Sequence, residues 1–194
     1  MRGTRNKFFI FGTAVLLVLM ATLQSSVVAQ RTPAADPGNA CPGPVVTPPG
    51  GRSFTDTTGA TRAANDPCIS CCFFGVGQND KSVWRNITPG VNKVVRVNTF
   101  GSNFDTLLAI WRRTGNTCPT GTFVPAPTST CTNGAGVTEV NCNDDAGGTL
   151  QSEVAFVTGT GDASTVFFVE VAECTGTANG FGGNLSLSIA VSER

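Results

Sequence analysis

From about residue 53 onward, apolar and polar positions alternate in short runs separated by Gly, Asn and Asp clusters. Asn184–Val191 is the clearest case. Leu185, Leu187, Ile189 and Val191 point one way, and Asn184, Ser186, Ser188 and Ala190 the other. A period of two predicts a strand with one buried and one wet face. Thr165–Ala172 is apolar on both faces, which predicts a central strand. Further strands are predicted over Lys81–Thr88, Lys93–Thr99, Thr106–Trp111, Val137–Asn141 and Glu153–Thr158. No segment in this region sustains a 3.6-residue period. Many short strands between turn residues predict an all-β antiparallel sandwich or barrel. Thr88-Pro89-Gly90-Val91-Asn92 reads as a turn joining two of the strands. Residues 112–136 are too long for a hairpin loop and read as an insertion.

The first 52 residues have a different texture. Arg2, Arg5 and Lys7 precede an apolar run from Phe8 to Leu23, and Val27-Val28-Ala29 supplies small or modest side chains at a cleavage site. This is the layout of a secretory signal peptide over 1–29. The run is shorter than the roughly 20 residues that cross a bilayer. Residues 30–52 are rich in Pro and Gly, and because Pro fixes φ and removes a backbone donor the segment cannot join a sheet interior. They read as a flexible leader, tethered at Cys41 if anywhere, and 53–191 as the folded domain.

Composition narrows the chemistry. Cleavage removes three of thirteen Lys/Arg and none of thirteen Asp/Glu, leaving ten against thirteen, a net of about −3. With no basic stripe, nucleic acid is a poor partner, and so is a membrane once the signal is gone. The chain has no His, the usual general base and the commonest zinc ligand. No motif supplies a substitute base, so the expectation is that this is not an enzyme. All eight cysteines, at 41, 68, 71, 72, 118, 131, 142 and 174, follow the signal segment and read as disulfides. Cys118 and Cys131 bracket the insertion, and a bridge between them would close it at its base. The competing pairing joins Cys118 to Cys142. Adjacent Cys71 and Cys72 are expected to pair with different, distant partners. A metal knuckle or redox pair at Cys68-Ile69-Ser70-Cys71 lacks the fourth ligand or the helix that such sites use.

The order of motifs resembles a known family. Ser82-Val83-Trp84 and Val94-Val95-Arg96-Val97 are followed by Phe104-Asp105-Thr106-Leu107-Leu108-Ala109-Ile110-Trp111. Cys142-Asn143-Asp144-Asp145-Ala146-Gly147-Gly148, Val166-Phe167-Phe168-Val169-Glu170-Val171 and Gly183-Asn184-Leu185-Ser186-Leu187 come after it. Together they resemble the bacterial pre-peptidase C-terminal (PPC) type of domain, and in outline CUB and collagenase collagen-binding domains. The resemblance implies a jelly-roll-like β-sandwich on an exported protein, secreted or periplasmic, where it serves as a non-catalytic binding or accessory module. It also implies calcium binding in some relatives. The chain departs in having no companion catalytic domain and in the insertion. A stand-alone copy needs its own partner, an extracellular polysaccharide or protein surface. The alternative role is a structural component of an extracellular matrix or cell-surface assembly.

One constellation stands out. Antiparallel pairing of Thr106–Trp111 with Val137–Asn141 would bring Asp105 beside Asn143, Asp144 and Asp145. Crowded carboxylates repel, and Ca²⁺, which takes six to eight oxygens in flexible geometry, would relieve them. The same Asn-Asp-Asp-x-Gly-Gly run is also ordinary turn chemistry. A glycosidase pair is disfavoured because Asp144 and Asp145 are adjacent and no cleft is marked. Trp84 and Trp111 read as core residues, or as carbohydrate platforms if exposed. Asn86-Ile87-Thr88 and Asn184-Leu185-Ser186 match the N-glycosylation pattern but lie in predicted strands.

Overall fold

The computed structural model describes residues 39–47, 50–72, 80–124, 130–174 and 180–194. The signal segment and residues 30–38 and 48–49 of the leader lie outside these. Ten strands are present among the described residues: β1 Gly50–Asp56, β2 Asp80–Ile87, β3 Lys93–Asn98, β4 Leu107–Arg113, β5 Gly121–Val124, β6 Thr130–Asn133, β7 Val137–Asn143, β8 Glu153–Val157, β9 Phe167–Glu173 and β10 Asn184–Glu193. The first sheet has the order β1-β10-β3-β8 and the second β2-β9-β4-β7, all antiparallel. With the β5–β6 hairpin set aside, this is the strand order of an eight-stranded jelly roll. The hairpin lies between β4 and β7 and occupies the insertion.

Alternation builds the core. Val95, Val97, Val154, Phe156, Leu185, Leu187 and Ile189 of the first sheet meet Val83, Ile87, Leu108, Ile110, Phe167, Val169 and Val171 of the second. Buried Arg85 joins the sheets, donating to Thr55 Oγ1 at 2.8 Å. As its two-sided apolarity predicts, β9 is central and buried along its whole length.

The second sheet also has an apolar outer face, and this forms another core. Trp84, Leu107, Ala109, Trp111, Phe168 and Ala172 project there and are covered by Ile69 and by cysteines. The cover is a cap made from residues 39–47, 57–72 and the β5–β6 hairpin. Gly121 N–H bonds Asn65 O at 3.0 Å, and Asn133 Oδ1 accepts from Cys68 N–H at 2.7 Å. Arg62 lies over the Phe123 ring at 4.5 Å. Both tryptophans are therefore core residues, and neither is a carbohydrate platform.

Four disulfides pin the cap: Cys41–Cys118, Cys68–Cys131, Cys71–Cys142 and Cys72–Cys174. The expected Cys118–Cys131 bridge is not formed, and neither is Cys118–Cys142. The reason is that the insertion closes through backbone pairing and folds back over the second sheet, where its cysteines meet those of the N-terminal segment. Cys71 and Cys72 do pair with different, distant cysteines. Each bond closes a loop of 63 to 102 residues, about 4–5 kcal/mol in the chain-entropy picture when taken singly.

The leader reading also needs correction where it is described. Residues 39–47 are tied down by Cys41–Cys118 and by reciprocal bonds between Val46 N–H and Asn86 O, and between Asn86 N–H and Pro44 O. Asn86 Nδ2 donates to the Pro42 and Gly43 carbonyls, which occupies that sequon. Gly43 passes so close to Trp84 that a Cβ would lie 2.0 Å from its carbonyl oxygen. Residues 50–52, also read as leader, open β1, which lies at the edge of its sheet, where a Gly-rich segment is permitted.

Candidate functional site

Asp105 and Asp144 sit at one end of the second sheet because β4 and β7 pair antiparallel, with Leu108 opposite Asn143. The start of one strand thus lies beside the end of the other. A buried hydroxyl network holds both segments. Thr99 Oγ1 and Thr106 Oγ1 are 2.6 Å apart, and Ser152 N–H donates to Thr99 Oγ1 at 2.8 Å. Ser152 Oγ reaches both the Thr106 and Asp144 carbonyls. The turn after Asp145 closes through Ala146 N–H to Gln151 O at 2.7 Å. Gly147 and Gly148 take φ of 63° and 80° in that turn, which is the left-handed region where a Cβ is penalised.

The carboxylates of Asp105, Asp144 and Asp145 converge, with ligand oxygens all within 4.8 Å of one another. Asp105 and Asp144 are half-buried and Asp145 is exposed. Oδ1 of Asp105 and Oδ1 of Asp144 are both shielded from solvent and find no hydrogen-bond donor among the described residues. Turn chemistry accounts for the two glycines but not for these orphaned oxygens, since an Asx turn would give them a backbone N–H. Burial, then the charges of Asp145 and Glu173, raise Asp105 above the usual aspartate range. Asp144 is pushed up to about 6 by burial and then by Asp105 and Asp145. The charges acting on both groups are carboxylates alone, and a leftover negative field with unfilled oxygens suits a hard cation.

Asn143 departs from this group. It ends β7, and its Oδ1 accepts from Glu153 N–H at 3.0 Å, tying β7 to β8. Glu173, which sequence reasoning passed over, adds charge from β9 and is itself anchored by Gly182 N–H at 2.7 Å. Its signal was a carboxylate closing a strand read as central. The three oxygens are closer together than the roughly 5–9.5 Å that separates glycosidase carboxylates. A cavity of about 300 Å³ lies by Arg112, Arg113, Asn116 and Thr138. Another of about 430 Å³ lies between residues 44–47 and β1. Neither is lined by the acidic trio.

Fold and site together define a disulfide-capped jelly-roll sandwich with a three-carboxylate loop end. No family model matches the chain, and no curated protein matches it. Among solved structures it is similar to CorA of Methylomicrobium album BG8, a surface-associated copper-binding protein important in copper acquisition. That likeness has a TM-score of 0.41 and 12% identity, and covers 77% of this chain and 98% of that one. It is also similar to Aeromonas hydrophila PliG, a periplasmic inhibitor of g-type lysozyme, with a TM-score of 0.35 and 13% identity over 76% of this chain and 96% of that one. Likenesses at this level carry no argument about what this chain binds.

Proposed function

We propose that this chain is an exported, non-catalytic binding or accessory module whose Asp105–Asp144–Asp145 end holds Ca²⁺. The observation that carries the metal is the pair of shielded, donorless Oδ1 atoms in a cluster of converging carboxylates. Backbone carbonyls and water complete the shell of such an ion. Export is supported by the charged, apolar and small-residue order of residues 1–29 and by eight cysteines joined in four bonds, which suits an oxidising compartment. No helix among the described residues is long and apolar enough to cross a membrane. The resemblance to PPC-type domains supports the accessory role. The partner is an extracellular polysaccharide or protein surface, met by the uncovered face of the first sheet, where Arg52, Phe54 and Arg96 are exposed.

Thermal melts of the oxidised protein in CaCl₂, with a chelator control, test the metal. Binding to the folded state alone contributes about 2.7 kcal/mol at a hundredfold excess over Kd. In a domain of this size that is a Tm rise of roughly 5–10 °C, which saturates. An unchanged Tm at millimolar CaCl₂ refutes the metal reading.

A further inference from the structure

Glu170 lies at the middle of β9, on the face that the cap covers, and is 0% exposed. Its neighbours across the sheet are Trp84 on β2 and Ala109 on β4. Phe168 and Ala172 flank it on its own strand, and Ile69 and Cys72 of the cap belong to the same cluster. A carboxylate ion in such surroundings needs several donors to replace its lost hydration. Among the described residues Glu170 has one: Trp111 Nε1–H, 2.8 Å from Oε2. Oε1 has no donor among the described residues.

Donors of the cap and of β2 serve other acids, and Trp84 Nε1–H and the Arg62 Nε and Nη2 groups, though without a partner among the described residues, do not reach Oε1. Ser82 Oγ–H bonds Asp66 at 2.7 Å, and Ala63 N–H bonds the same carboxylate at 2.9 Å. Ser70 gives both its N–H and its hydroxyl to Glu139, at 2.9 and 2.5 Å. The charges facing Glu170 are Asp66 and Arg62 from the cap and Glu139 from β7. Two of the three repel an ionised Glu170, and Arg62 rests on Phe123. On β2 and β4 its cross-strand neighbours are Trp84 and Ala109, which carry no charge.

We propose that the proton on Glu170 is the latch of the cap: the cap seats tightly over the second sheet while Glu170 is a neutral acid, and loosens when alkaline pH removes that proton. A neutral acid needs few partners, whereas the ion needs water, and water enters only if the cap lifts. The cap is the layer that yields, because at Glu170 β9 is paired on both sides, with β2 and β4, while the cap is irregular chain apart from the β5–β6 hairpin. Its four disulfides keep the opening local. Burial first, and then Asp66, push the Glu170 carboxyl well above the usual glutamate range, against the Trp111 bond and Arg62. The sign follows from linkage. Unfolded glutamate titrates near 4.5, so above that value the folded state holds a proton the unfolded state has lost. The stability this group contributes is therefore complete below about pH 4.5 and declines as pH rises towards the folded value.

The chain supplies its own probe. It has two tryptophans and no tyrosine, and both tryptophans adjoin Glu170. Tryptophan emission of the oxidised protein, titrated from pH 4 to 10, is expected to show a one-proton transition with a midpoint well above the glutamate range. Amide exchange at Cys68 and Ser70 should speed up across the same transition, and exchange in β10 should not. E170Q should abolish the transition, and D66N, which removes the strongest repelling charge, should move the midpoint down. Flat wild-type emission, a transition unchanged in E170Q, or cap exchange that ignores the transition would each overturn the latch. If E170Q does not fold, D66N decides: an unmoved midpoint overturns the proposal.

Discussion

The two outer faces of this sandwich are built by the same alternation and end in opposite states. On the first sheet, Arg52, Phe54, Arg96, Glu153, Ala155, Val157 and Ala190 meet solvent. Most are charged or small, so water is an adequate neighbour. On the second sheet, the equivalent positions are Trp84, Leu107, Trp111 and Phe168, all nearly or fully buried. Leaving them wet would cost about 1.5–3 kcal/mol for each large side chain. The jelly roll has no element to cover that face, so irregular chain does it, and irregular chain stays only where it is fastened. This explains why every disulfide runs from the 41–72 segment to a later part of the chain and none joins strands across the sandwich core. The cysteines reinforce a second core that the fold alone would leave exposed.

Three substitutions test this contrast. Trp111→Ala should have the largest effect. It opens a cavity beneath the cap and strips Glu170 of its donor, and the loss should be about 3–5 kcal/mol in urea unfolding. A loss under about 1 kcal/mol would mean that the cap carries little packing energy.

Asp144→Asn should act at an intermediate level and in opposite directions with and without metal. With a chelator at pH 7.5 it removes a repelling, half-buried charge, and Tm should rise modestly. With CaCl₂ the variant should lose most of the rise seen in the wild type. The pH dependence follows from the same group. The Asp144 carboxyl is lifted to about 6, so a cation must displace its proton below that point. The CaCl₂-induced rise should be full above about pH 7 and fade as pH falls through 6. A rise that is equal at pH 5 and pH 7.5 would place the ion elsewhere.

Phe54→Ala should do least. Phe54 is 75% exposed on the uncovered sheet, with Arg52 at 6.0 Å from its ring as neighbour. Unfolding free energy should move by no more than about 0.5 kcal/mol. A larger loss would show that the first sheet's outer face is energetically part of the core.

How far the chain could be read depended on the range of each interaction. β10 and β9 announce themselves because alternation within one strand reports burial within that strand. Asp105 could be placed beside Asp144 and Asp145 because β4 and β7 are near neighbours in the chain order and pair antiparallel across the insertion. β1 is not among the predicted strands, and its first three residues read as leader. It turns Ser53 and Thr55 inward opposite Leu187 and Leu185 and its one large apolar residue, Phe54, outward, so its pattern predicts no buried face, and backbone pairing to β10 holds it. The hairpin strands β5 and β6, four residues each, carry no pattern long enough to count.

The amino-acid sequence by itself determined seven of the strands, the sandwich class and the acidic loop end, since these rest on local periodicity, turn residues and chain order. Tertiary structure alone decided the cysteine pairing, the anchoring of residues 39–47, the segment that covers Trp84 and Trp111, and the burial of Glu170. Alternation states that a strand has an apolar face but not what covers it. That depends on which distant segment folds back, and here the covering segment has no periodicity of its own.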